Sequence, residues 1–141
     1  MNDTPTPAEL LAAAARFMRH EAIPALTGAT AYQARVAANM IDIARRQIEL
    51  SVAQEAEELQ RLRALLGRDV ELTEANRLLC DRIAAGMLTL TTPGLADHLW
   101  RTTLAKLAVD QPSYDTYRRL IDTPNDTPND TPKNTPNVKE S

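Results

Sequence analysis

Little in this chain invites covalent chemistry. One cysteine in 141 residues, Cys80, excludes an internal disulfide, and one thiol with two histidines falls short of a structural zinc site. The four glycines stand apart at positions 28, 67, 86 and 94, so no glycine-rich loop is available to cradle a phosphate. Aromatic residues are 4% of the chain and β-branched residues do not cluster, which argues against a sheet. A net charge of −3 lacks the basic surplus that nucleic acid attracts. Apolar runs are too short to span a bilayer, which needs about 18 such residues, and MNDTPTPAEL has neither the basic nor the apolar region of a signal peptide. These absences point to a cytoplasmic protein that engages neither membrane nor nucleic acid and needs no cofactor or metal.

What is abundant is Ala, Leu, Arg and Glu, a composition that favours helix. The expected class is all-α, a single compact bundle of about five to six helices over residues 6–121, with a flexible segment at 1–5. Thr6-Pro7-Ala8-Glu9 writes a helix start: Thr6 as N-cap, Pro7 at the first helical position and Glu9 at the reciprocal capping position. From Ala8 to Ala22, Leu10, Leu11, Ala14, Phe17 and Met18 supply the inward face, and Pro24 closes the helix. A turn at 26–29 makes this helix the antiparallel neighbour of the next.

The stretch from Thr30 to Leu50 reads as the central helix. Its apolar residues form two merging rows, Ala34, Ala37, Ala38, Ile41, Ala44 and Ile48 beside Val36, Met40, Ile43 and Leu50, an arc wide enough to pack on more than one side. Arg35, Asn39, Asp42 and Arg46 make a narrow polar stripe between them. Ser51 with Gln54 resembles another capping box, and we place a helix boundary there, although no Gly or Pro separates Leu50 from Val52 and one long helix satisfies the same pattern. The following helix ends at Gly67, and a fourth runs from Leu72 to the stop at Gly86. Leu88-Thr89-Leu90 reads as an extended connector. Thr92-Pro93 opens a fifth helix with Leu95, Leu99, Trp100, Leu104, Leu107 and Ala108 inward, ending at Gln111 ahead of Pro112. A short last helix spans 112–121. From Asp122 the chain repeats Thr-Pro every four residues, a disordered tail that buries nothing.

No catalytic residue stands out. His20-Glu21 lacks the second histidine of a zincin, because position 24 is proline. His98 reads as a partly exposed or hydrogen-bonded structural histidine, and Cys80, among Leu78, Leu79 and Ile83, as a small buried apolar residue. The candidate cluster is Arg35 and Asn39 of the central helix with Lys106, Asp110 and Tyr114 near the end of the fold. Asp110 lies where Pro112 forces a turn and backbone carbonyls come free, so a guanidinium from Arg35 is expected to meet both. Glu57 with Arg61 and Lys106 with Asp110 have the spacing of solvated helix pairs.

Three segments together, Ala34-Arg35-Val36-Ala37-Ala38-Asn39, Leu78-Leu79-Cys80 with Ile83 and Gly86, and the run from Thr103 through Asp110-Gln111-Pro112 with Tyr114, resemble a small bacterial family of unknown function over residues 5–120. Members of that family carry Gly-Pro where this chain has Ser51-Val52, and often His where it has Gln33. They are encoded beside, and sometimes joined to, aminoglycoside-phosphotransferase-like kinases and acyl-CoA dehydrogenases. The resemblance implies an accessory role in acyl-CoA metabolism with one of those enzymes as protein partner, and supplies no catalytic residue. The expectation is therefore a non-catalytic helical accessory protein. The alternative is a small enzyme or ligand-binding domain built on the polar cluster, and the wide apolar arc of the central helix suggests a homodimer.

Overall fold

The capping box at Thr6 is formed as its sequence implies. In the computed structural model, which describes residues 4–122, Thr6 N donates to Glu9 Oε2 at 2.7 Å and Glu9 N donates to Thr6 Oγ1 at 3.3 Å. These bonds hold the Glu9 carboxyl below its ordinary range, the backbone bond of Thr6 first. Helix α1 (Pro7–Phe17) follows. Pro24 does not end the helical path at once. The backbone first widens into a π-turn, Met18–Ala22, with Ile23 N donating to Met18 O, and then tightens into a 3₁₀ turn, Ile23–Ala25.

Helix α2 then runs without interruption from Gly28 to Leu66, 39 residues or about 58 Å. The boundary expected at Ser51 is absent. Ser51 is a tolerable helix residue, and without glycine or proline nothing local outweighs propagation of the ladder. Gly67, at φ 64°, adopts the left-handed conformation that turns the chain and ends the helix. Helix α3 (Leu72–Ala84) starts beside Glu58 and finishes beside Leu66: Asn76 Nδ2 donates to Glu58 Oε1 at 2.9 Å and Arg82 Nη1 to the Leu66 carbonyl at 3.2 Å.

The segment between α3 and α4 is a series of turns and not an extended connector. Thr92 Oγ1 accepts from Thr89 N at 3.0 Å, so the hydroxyl expected to cap a helix closes a turn instead. Helix α4 (Leu95–Asp110) begins later, behind Gly94 at φ 84°, where an added Cβ would stand 3.4 Å from Leu65 Cδ2. It returns antiparallel along α2, from Leu95 in the core to Val109 beside Arg46. Helix α5 (Asp115–Asp122) folds back so that Tyr117 and Ile121 face Leu104 and Ala108 of α4. The described residues therefore form five α-helices and no strand. The expectations for residues 1–3 and for the Thr-Pro repeat from 123 lie outside them.

Where the core sits differs from the sequence expectation. Its buried members are Leu62, Leu66, Ala75, Leu79, Leu88 and Leu95, all on the C-terminal half of α2 and its partners. The N-terminal half buries only small residues, Ala31, Ala34 and Ala38, toward α1, where Ala15 is buried. Thus the Thr30–Leu50 stretch is packed mainly on one side, and Tyr32, Val36, Met40 and Ile48 are exposed. On α1 the contact face is turned toward Leu11, Ala15 and Met18, leaving Leu10 and Phe17 outward, because alanines allow a closer helix approach than larger side chains. Leu99 and Trp100 of α4 are also outward, and Cys80 is exposed, since α3 turns Ala75 and Leu79 to the core and position 80 follows on the far side.

This asymmetry sets the energetics. Leu62→Ala, at a fully buried site, is expected to lower the unfolding free energy by about 3 to 5 kcal/mol. Leu10→Ala, at a site 56% exposed, should stay within about 0.5 kcal/mol. Urea titration of both variants checks the contrast, and equal losses would contradict the placement of the core.

Candidate functional site

Helix α4 cannot continue past Asp110, because Pro112 removes a donor and pushes Gln111 to φ −140°, ψ 60°. The last carbonyls of the helix are thereby left without intrahelical donors. Arg46, one and a half turns before Ser51 on α2, supplies one: its Nε donates to the Val109 carbonyl at 2.5 Å. Tyr114 N donates to Gln111 O at 3.0 Å and turns the chain into α5. Farther along, Gln54 Nε2 donates to the Ala105 carbonyl at 3.2 Å, so α4 is tied to α2 at two levels.

Across from this corner, the π-turn after α1 carries Arg19 over the same face of α2. Its Nη2 donates to Asn39 Oδ1 at 3.0 Å and its Nη1 pairs with Asp42 at 2.5 Å. Asp42 also stands 3.6 Å from Arg45, which in turn pairs with Glu49 at 2.7 Å. Between the Arg19 side and the α4–α5 corner lies an open cleft of about 570 Å³, whose walls include Asn39, Ile43, Arg46, Asp110 and Tyr114.

Three of the five residues singled out in the sequence thus meet in one cleft: Asn39, Asp110 and Tyr114. The other two do not join them. Lys106 lies in a neighbouring groove of about 430 Å³ between α2, α4 and the start of α3, which Asp110 also borders. Arg35 is exposed and has no hydrogen-bond or ion-pair partner among the described residues. The guanidinium that reaches the end of α4 belongs to Arg46, three turns further along the same stripe, because α4 stops at that level of α2 and not beside Arg35. Lys106 and Asp110 are not paired, whereas Glu57 and Arg61 are 3.8 Å apart. Arg19 is the member that sequence reasoning missed. Its only signal was a cation at the end of an amphipathic helix, and the π-turn that aims it is not written in any local motif.

A second polar group is buried between α2 and α4. His98 is 2% exposed, and neither partial exposure nor a hydrogen bond accounts for it: His98 Nδ1, Thr102 Oγ1 and Arg61 Nε are all buried without hydrogen-bond partners among the described residues. The imidazole is held below its ordinary value by burial first and by the nearby Arg61 second, with Glu58 and Asp97 opposing. Among the described residues no group of three or more His, Cys, Asp or Glu could hold a metal ion, and no helix is long and apolar enough to cross a membrane.

Residues 24–114 match a family described as a domain of unknown function, DUF6285. The match takes in α2, α3, α4 and the corner with Tyr114, and leaves α1 with Arg19, and all of α5, outside it. The chain matches no curated protein and no solved structure.

His98 gives this region a pH signature. Its folded pKa lies below the ordinary 6.5, so the unfolded chain takes up the proton first as pH falls. The stability associated with a neutral buried imidazole is present above about pH 6.5 and is lost as pH falls from there through the lower folded value. The thermal midpoint should therefore drop between pH 7.5 and 5, by less in His98→Leu than in the wild type. An identical drop in both proteins would remove His98 as its source.

Proposed function

The chain belongs to the DUF6285 family, and we propose that it works as a non-catalytic helical accessory protein that presents its helices to a partner enzyme. One observation carries this reading: the charged side chains at the candidate cleft, Asp110 apart, are engaged with one another or with backbone. Arg19 is held by Asn39 and Asp42, and Arg46 closes the end of α4. Such a network fixes how three elements dock, which is the commoner role of partly buried polar groups. Meanwhile large apolar side chains face outward on α3, α4 and the turns between them, among them Met87, Leu90 and Trp100, the only tryptophan. Trp and Met are enriched where proteins meet.

The partner class comes from the resemblance of the Ala34–Asn39 and Thr103–Tyr114 segments to a bacterial family encoded beside aminoglycoside-phosphotransferase-like kinases and acyl-CoA dehydrogenases. In this reading the protein acts in the cytoplasm on an enzyme of acyl-CoA metabolism or on such a kinase. A second reading, a ligand-binding or enzymatic site, is favoured by the openness of the cleft and by Asp110, which has no ion-pair partner there.

Titration of the purified chain with a dehydrogenase and a kinase of those classes, followed by calorimetry, separates the readings. The accessory role predicts binding to one of them that weakens about 10-fold or more in Trp100→Ala and is unchanged in Asp110→Asn. Failure of both enzymes to bind counts against this reading. Uptake of a small molecule that Asp110→Asn abolishes would favour the second.

A further inference from the structure

One face of α2 is covered along part of its length and bare along the rest. Tyr32, Val36, Met40, Ile43, Gln47 and Gln54 follow at helical spacing and share that face. Over its C-terminal part lies α4, tied down by the bond from Gln54 to Ala105 and, one flank over, by that from Arg46 to Val109. At Asp110 α4 ends, and the same face continues bare to the start of α2: Tyr32 is 66%, Val36 38% and Met40 65% exposed. The bare stretch is apolar, yet it continues the groove that an internal helix already occupies.

We infer that this stretch is covered by the same stretch of a second copy of the chain, running antiparallel about a twofold axis at Val36. The length of the gap selects that occupant. It is bounded by the start of α2 at Gly28 and by the level of Arg46, where α4 stops, and Val36 is the residue of the bare face within one position of its middle. Turned about Val36, each residue faces the one equally far on the other side, so Tyr32 meets Met40 of the second copy and the second α2 begins at the level of Ala44, just short of the end of α4. The interface is isologous, each face covering its own copy.

Charge complementarity agrees with this register. The second α2 runs in the same direction as α4 and starts where α4 ends, so a positive helix pole meets a negative one. The N-terminus of α2 has no capping side chain and no acidic residue in its first turn, whereas Asp110 brings a carboxylate without an ion-pair partner to the end of α4. Arg35, exposed and unpartnered, flanks the axis within one turn of Asn39 of the second copy. Three apolar side chains alone fall short of the roughly 800 Å² per partner of a stable complex, so in this arrangement the α4–α5 corner with Tyr114, half exposed beside the face, contributes as well. The second copy then completes the cleft described above, closing it with the start of its own α2.

The test uses the full chain with Cys80→Ala, which removes the exposed native thiol. Sedimentation velocity at tens of micromolar should give the mass of a dimer. Val36→Glu should raise the dissociation constant about 30-fold or more with unchanged helical circular dichroism, and Leu10→Glu, on the outer side of α1, should leave it as it is. Because circular dichroism alone does not exclude a subtle rearrangement, Val36→Cys is oxidised separately: a residue on the axis faces itself and should form a disulfide-linked dimer, whereas Leu10→Cys should not. A Cys80→Ala chain that stays monomeric overturns the inference and leaves the partner-enzyme reading to its own titration, since Trp100 lies off this face. A dimer that survives Val36→Glu, or one that dissociates with Leu10→Glu while Val36→Cys fails to cross-link, overturns it as well.

Discussion

Everything in this fold hangs on the unbroken hydrogen-bond ladder of α2. A helix of 39 residues is far longer than any neighbour, so no single element can cover it, and its two halves are solved differently. The C-terminal half carries the leucines and draws in α3 and α4, making a core around Leu62 and Leu66. On the other half it is alanines that face α1, which gives close backbone approach and little buried area. Stability therefore concentrates at one end of the molecule, and the other end is joined to it mainly by the stiffness of the helix and by polar contacts at its middle.

Those contacts sit where three chain ends converge: the π-turn after α1, the last turn of α4 and the start of α5. Each leaves backbone or charge needing a partner, and the polar stripe of α2 answers from one side. Arg46 satisfies a carbonyl that Pro112 has freed, and Asn39 with Asp42 fixes the guanidinium of Arg19. Most of this stripe is thus occupied in docking three elements, and the proposed accessory role rests on that observation. Outward-facing apolar residues occur in several places, among them the bare face of α2 around Val36 and the side chains of α3, α4 and their connection around Trp100.

The buried histidine shows the same economy from the inside. His98 and Thr102 face α2 because α4 must turn Leu95 and Val109 inward, and their position one and two turns from Leu95 carries them along. Their polarity gains no partner there. It makes the α2–α4 contact sensitive to protonation in a way that an apolar pair would not be.

The sequence by itself determined the class, the capping box at Thr6, the stops at Gly67 and Gln111 and most helix spans, because each rests on interactions within a few residues: composition, side-chain periodicity, a left-handed glycine, a proline. It also gathered Asn39, Asp110 and Tyr114 into one candidate set with Arg35 and Lys106, since a polar stripe and a forced helix end both need partners, and those three line one cleft. Only the tertiary structure decided the rest. Whether Ser51 breaks the helix depended on the balance between a weak cap and an unbroken ladder. Which of two apolar rows faces inward on α1 depended on how close another helix could come. That Arg46 and not Arg35 reaches Val109 depended on where along 39 residues α4 came to rest, and that register is set by Leu62, Leu66 and Leu95 packing far from either arginine. Periodicity repeats identically along a helix, so it can say which side chains share a face but not which turn of that face a distant segment will meet.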